Sequence, residues 1–239
     1  MHDVKALVFD VFGTLVDWRT AIAREAETLL GGVGIVIDGL ALADAWRAEY
    51  QPAMEEVRAG RLPFMKLDAL HRRNLDIVLT AFDAERADEA TRHALTLAWH
   101  RLDAWPDVAA GLAALRPHYR LAPCSNGHIA LMVDLARRND FPWDAITGAE
   151  LARDYKPKAI VYQSAADAFD LAPGLTMMVA AHSSDLAGAA AAGLRTAFIA
   201  RPDEHGPGRG ESKPTVPVDI AVDSVIELAH ALHGAIRSR

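Results

Sequence analysis

VFDVFGTLVDW, residues 8–18, sets an aspartate, Asp10, directly after an apolar run. Residues 4–9 are almost all apolar, as in a central parallel strand buried on both faces. Gly13 and Thr14 follow, then a second apolar pair, Leu15 and Val16. Two features need a reason: a carboxylate at the tip of a buried strand, and a phenylalanine, Phe12, two residues further on.

Working outward, apolar strand-like runs recur at 119–123, 145–147, 176–181 and 196–200, with a shorter one at 220–222. Helical patterns fill the gaps at 108–115, 129–138, 158–169, 186–192 and 225–232, the fourth stopping at Gly193. Strands alternating with helices predict an α/β chain with a Rossmann-like, doubly wound parallel sheet. Residues 19–98 interrupt the alternation with helical patterns alone, at 20–30, 40–57, 63–79 and 87–99. They read as a helical cap inserted after the first strand, positioned to cover a site. The expected organisation is a core of residues 1–17 and 99–239 and a cap of residues 18–98. The Pro- and Gly-containing stretch 201–217 reads as a loop.

With 51% hydrophobic and 24% charged residues, the 239-residue chain has the composition of an ordinary globular protein. Its net charge is −7 and it carries no basic stripe, which argues against a nucleic-acid partner. A lone cysteine, Cys124, rules out an intrachain disulfide and suits a reducing compartment. The N-terminal MHDVKALVFD is too short and too charged for a signal peptide. No apolar run approaches the ~18 residues of a membrane span. A cytoplasmic protein is expected.

The unusual polar residues share one edge of the predicted sheet. Asp10 follows the first strand, Ser125-Asn126-Gly127 the second, and His182 and Asp185 the fourth. Lys156 precedes Pro157, which reads as the first residue of a helix. Singly, these could be a turn aspartate, a turn and a helix cap. Together they fall at the carboxyl ends of strands, where open parallel sheets bind ligands.

Asp10-x-Phe12-Gly13-Thr14, Ser125-Asn126-Gly127, Lys156-Pro157 and Asp185, at these separations, resemble the haloacid dehalogenase superfamily over nearly the whole chain. That superfamily includes many phosphatases and a smaller group of L-2-haloacid dehalogenases. In the phosphatases two carboxylates stand two residues apart: one attacks phosphorus, the other protonates the leaving alkoxide. Here the second position is Phe12. A halide is a weak base that leaves without a proton and needs only donors or a cation. Phe12 would add an apolar wall. The phosphatases also carry a G-D-x-x-x-D string, and its first aspartate helps to hold Mg²⁺. Ala181 stands there in this chain, a poor position for a cation that wants hard oxygen ligands. The resemblance therefore implies the L-2-haloacid dehalogenase branch, with neither metal nor cofactor.

The roles it implies follow the matching positions. Asp10, ionised at neutral pH, displaces halide from the substrate and forms an aspartyl ester that water then hydrolyses. Lys156 stabilises and orients it. Arg47, in the cap pair Trp46-Arg47, and Asn126 receive the halide. Thr14 and Ser125 hold carboxylates, and Asp185 handles the water, directly or through His182. Tyr162 matches a further family position, whereas Trp46 and Tyr50, four apart on a helix, read as cap packing. Dehalogenases of the family often have Ser and Asn where this chain has Ala180 and His182. His182 is an extra donor that fluoride, a poor leaving group, would use most, and the pocket wall at Ser184 is small. Expected substrates are therefore haloacetates, L-2-halopropionate and fluoroacetate, giving 2-hydroxy acid and halide. Two alternatives stay open: a phosphatase of a small phosphate ester and a non-catalytic protein on the same fold. His100, Cys124 and the loop 203–209 read as structural, and a homodimer is the expected assembly, C₂ pairs being commonest.

Overall fold

The run before Asp10 forms β1 (Ala6–Phe9), all of it buried. The structure, a computed structural model, describes residues 3–237. After β1 come β2 (Val16–Asp17) and five helices: α1 (Trp18–Gly32), α2 (Gly39–Ala48), α3 (Tyr50–Arg58), α4 (Leu67–Ala81) and α5 (Glu89–Thr96). A 3₁₀ turn, Leu97–Arg101, and β3 (Asp103–Ala104) lead back to the core. The core continues with α6 (Val108–Leu115), β4 (Arg120–Ser125), α7 (Ile129–Asn139), β5 (Thr147–Gly148) and α8 (Ala149–Ala152). It ends with α9 (Ala159–Asp167), β6 (Thr176–Ala180), α10 (Ser183–Ala191), β7 (Arg195–Ile199), β8 (Ile220–Val222) and α11 (Val225–Arg237).

Six parallel strands make the sheet, in the order β5-β4-β1-β6-β7-β8. Side chains alternate between its faces. Leu7, Phe9, Met177, Val179 and Ile199 enter one core with residues of α6, α7 and α11. Ala6, Val8, Met178, Ala180 and Phe198 enter the other with residues of α9 and α10. The sheet is thus doubly wound, as expected. Strand order reverses between β1 and β6, and this switch point is the ligand crevice of such sheets. Asp10 and His182 flank it.

Helices α1–α5 lie between β2 and β3, which pair antiparallel through Val16↔Ala104 and Asp17↔Asp103. This ribbon ties the insertion's entry and exit together. Asp17, Asp38 and Asp88 cap α1, α2 and α5 by accepting the N–H groups of Thr20, Ala41 and Thr91. Further bonds dock the insertion on the core: Arg58 Nη1 to the Lys156 carbonyl at 2.8 Å and Tyr155 Oη to the Met65 carbonyl at 2.8 Å.

Several boundaries differ from expectation. The helix expected at 40–57 breaks at Glu49 into α2 and α3. Pro52 has no N–H and its ring opposes the carbonyl four residues back, so it is tolerated in a first turn but not mid-helix. The 63–79 helix starts only at Leu67, and the 87–99 pattern tightens into the 3₁₀ turn after Thr96. Pro157 lies in the turn before α9, which begins at Ala159. Helix α10 starts at Ser183, so His182 is its N-cap and Asp185 lies in its first turn. No helix among the described residues is long and apolar enough to cross a membrane.

Candidate active site

Asp10 leaves β1 with its backbone N–H on the Val179 carbonyl at 2.9 Å, so it sits between the two central strands. Its carboxylate is buried and receives donors on both oxygens. Lys156 Nζ lies 2.8 Å from Oδ1, while Thr14 Oγ1 at 2.7 Å and His182 Nδ1 at 3.0 Å share Oδ2. Burial disfavours the anion, but Lys156 and His182 prevail and hold the carboxyl well below the usual carboxylate range. Asp10 is therefore an ionised, oriented carboxylate. Thr14 also accepts the Ala181 N–H at 2.9 Å, locking the loop after β1 to the end of β6.

Lys156 stands between two carboxylates, with Asp185 Oδ2 at 2.5 Å. Burial opposes its charge, yet Asp10 and Asp185 push its pKa up. The other oxygen of Asp185 takes the Tyr162 hydroxyl at 2.6 Å, so both are committed. Burial raises the Asp185 pKa, against the pull of Lys156. Asn126 Oδ1 accepts the Lys156 backbone N–H at 2.9 Å and fixes the loop that carries the lysine.

On the opposite side of Asp10, His182 Nε2 meets Glu204 Oε2 at 2.8 Å. Glu204 is buried, and its other oxygen accepts Trp18 Nε1 at 3.0 Å. Burial works against an imidazolium, but hydrogen bonds to Asp10 and Glu204 push the His182 pKa up to about 10. Glu204 reaches this position because residue 13 is a glycine: a Cβ there would stand 2.0 Å from Oε1, and its φ of +83° already disfavours other residues.

Above these groups opens a cavity of about 840 Å³, lined by Asp10, Phe12, Asn126, Lys156, His182 and Ser184 from the core and by Trp18, Arg47 and Tyr50 from the insertion. The Arg47 guanidinium lies 4.1 Å from the Tyr50 ring centroid, and its Nη1 is buried without a hydrogen-bond partner. Such a group is a ready anion receptor. Phe12 lies edge-on to Trp99 at 5.8 Å and Tyr50 at 6.3 Å, so it is both cavity wall and aromatic core. Ser125 Oγ accepts the Gly127 N–H at 3.0 Å and serves its own turn rather than the cavity.

A family model for haloacid dehalogenase-like hydrolases matches residues 4–193. The chain belongs to this family. It is 31% identical over 206 residues to (S)-2-haloacid dehalogenase 1 of Pseudomonas sp. (strain CBS-3), covering 84% of this chain and 86% of that protein. Haloacetate dehalogenase H-2 of Moraxella sp. (strain B) is 26% identical over 204 residues, covering 84% and 88%. Among solved structures, the defluorinating L-2-haloacid dehalogenase Rha0230 superposes with a TM-score of 0.93 at 42% identity, over 96% of this chain and 95% of that one. The L-2-haloacid dehalogenase PA0810 gives 0.92 at 42% identity, over 97% and 99%.

Within the haloacid dehalogenase-like hydrolases, the donor set around Asp10 does not fit a Mg²⁺ centre. Mg²⁺ needs hard oxygens free to coordinate it, whereas both oxygens of Asp10 and of Asp185 already accept hydrogen bonds. The Lys156 ammonium occupies the place between them.

Of the residues singled out from sequence, Asp10, Phe12, Arg47, Asn126, Lys156, Tyr162, His182 and Asp185 gather at one cavity. Thr14 lies beneath them, bonded to Asp10. Besides Ser125, which bonds within its own turn and not to a carboxylate, two expectations are corrected. The loop 203–209 is not merely structural, since Glu204 and His205 reach the site. Tyr50 does not only pack the cap, since it lines the cavity; Trp46 does pack, with Nε1 on the His71 carbonyl at 3.0 Å. Glu204 carries no motif, and its only sequence signal is an acidic residue beside a glycine-rich turn.

Proposed function

We propose that this chain is a hydrolytic dehalogenase of short 2-haloalkanoic acids: haloacetates, L-2-halopropionate and fluoroacetate. The observation that carries this reading is an ionised carboxylate, Asp10, held by Lys156, Thr14 and His182, with Phe12 where a leaving-group acid would stand. It is supported by the relatives named (S)-2-haloacid dehalogenase and by the structural neighbour named as defluorinating.

A carboxylate oxygen of Asp10 bonds to C2 of the acid as the carbon–halogen bond breaks, and the halide takes the electron pair. C2 inverts, and the product is an ester on Asp10. Arg47, without a hydrogen-bond partner at Nη1, receives the halide together with Asn126. Phe12 supplies the apolar wall for the substrate carbon. The helical insertion acts as the cap, bringing Arg47 and Tyr50 over the core residues.

Water then attacks the carboxyl carbon of Asp10, and the 2-hydroxy acid leaves. Asp185 has both oxygens engaged, so in this reading it holds Lys156. His182 with Glu204 handles the water. Esterification removes the Asp10 charge, one of two that hold the imidazolium proton. The Nδ1 proton departs to solvent, and the neutral ring takes a proton from the attacking water while Glu204 stabilises the new cation. The imidazolium then gives that proton to the alkoxide of the leaving 2-hydroxy acid and takes the carboxyl proton of Asp10, which restores the starting pair. The same reading includes a cytoplasmic location, consistent with the free, buried thiol of Cys124, and a homodimer, to be read by sedimentation.

The test is halide release from chloroacetate, both 2-chloropropionate enantiomers and fluoroacetate, with chelator present, beside an Asp10→Asn variant. The expected result is halide from the L-acids and the acetates, abolished in the variant. Mg²⁺-dependent release of phosphate from an aryl ester, with no halide from any acid, would overturn the reading.

A further inference from the structure

A second group of titratable side chains lies outside the cavity, where the insertion meets the core. Asp68 sits in the first turn of α4, His100 in the 3₁₀ turn Leu97–Arg101, and His128 immediately before α7. His100 Nε2 lies 3.1 Å and His128 Nε2 3.4 Å from the same oxygen, Asp68 Oδ2. One ligand atom from each residue falls within 4.8 Å of the other two. Donors around a tetrahedral zinc at about 2.0–2.1 Å stand roughly 3.3–3.4 Å apart, so only small shifts would bring these three onto one ion.

Two further observations point to an ion. His100 Nδ1 lies 2.7 Å from Asp134 Oδ2. A carboxylate on the far ring nitrogen is the usual companion of a metal-bound histidine, since it keeps the proton on Nδ1 and the lone pair on Nε2. His128 is only 3% exposed, and it turns Nε2, not the partnerless Nδ1, toward Asp68. Its Nε2 faces Asp68 at a distance long for a hydrogen bond.

We propose that Asp68, His100 and His128 bind one divalent transition-metal ion of the Zn²⁺ class, with Asp134 orienting His100 and water completing the tetrahedron. Two imidazoles and one carboxylate form a borderline donor set that suits Zn²⁺ over Mg²⁺ or Ca²⁺. The ion fastens α4 of the insertion to the 3₁₀ turn and to the segment that follows Ser125-Asn126-Gly127. Its role is to brace the cap, and it takes no part in the proposed chemistry at Asp10.

The full chain, stripped with chelator, is titrated calorimetrically with Zn²⁺, and separately with Co²⁺ while its visible spectrum is followed. An Asp10→Asn variant controls for metal at the cavity. One equivalent binds, with the intense visible bands of tetrahedral Co²⁺, equally in Asp10→Asn. At a hundredfold excess over Kd, Zn²⁺ raises Tm by about 5–10 °C. Binding is lost in Asp68→Asn and in His128→Gln, and weakens about 10–100-fold in Asp134→Asn. No saturable binding, a purely octahedral Co²⁺ spectrum, loss of binding in Asp10→Asn or its retention in folded His128→Gln would each overturn the proposal. The wild-type Co²⁺ spectrum decides if the variants do not fold.

Discussion

His182 touches two carboxylates, and one of them, Asp10, loses its charge during the proposed reaction. The histidine therefore acts differently in the two steps: it orients Asp10 as a cation, then serves as a base once the ester has formed. Replacing it by asparagine, or Glu204 by glutamine, should leave the first displacement largely intact and slow ester hydrolysis by about 10²–10⁴-fold. Rapid-quench halide measurement should show a burst of one halide per chain, and intact-mass analysis should show the trapped ester. If both variants turn over steadily with no burst, Asp185 handles the water instead. Asp10 and His182 were legible in the sequence because each follows a strand end directly, and Lys156 because of its pairing with Pro157. Glu204 was not, because its role depends on a loop folding back onto Gly13.

Elements rather than single residues fix the loop that follows β1. Gly13 N donates to the Val16 carbonyl at 3.1 Å, Trp105 Nε1 reaches the Gly13 carbonyl at 2.9 Å, and Arg201 Nε reaches the Thr14 carbonyl at 2.9 Å. Arg201 also pairs with Asp107 through two contacts of 2.9 Å. The loop after β7 is thereby held against the loop after β1, which is what brings Glu204 to His182. Gly13→Ala should cost about 1–3 kcal/mol, because an alanine resists this positive φ. It should also cost activity, because the new Cβ displaces Glu204. Urea unfolding and the hydrolysis rate of the ester read the two effects separately; unchanged values in both would contradict the close approach. The long helices were legible from their periodicity, and the core strands from their continuous apolar runs. The β2–β3 ribbon was not, because a two-residue strand carries no period, and the split of α2 from α3 turned on Pro52 alone.

For the whole molecule, the site makes stability depend on pH in two opposite senses. His182 keeps its proton up to about 10 in the folded chain, against ~6.5 when unfolded. Its contribution is fully present below about pH 6.5 and is lost as pH rises through 10. Asp10, held low by Lys156 and His182, contributes above ~3.9 and loses that contribution as pH falls through its folded value. The thermal midpoint should therefore decline from pH 6.5 to 10, and calorimetry should find a shallower decline in His182→Asn; equal slopes would remove the histidine from the alkaline limb. By itself, the sequence determined the sheet, the inserted helices and the strand-end residues, because local periodicity and strand-end position are properties of contiguous chain. Only the tertiary structure decided that Glu204 backs His182, that Arg47 keeps an unpartnered nitrogen, and that Asp68, His100 and His128 converge. Each of those depends on groups distant in sequence sharing a buried place, where leaving a charge or a ring nitrogen without a partner carries a large desolvation cost.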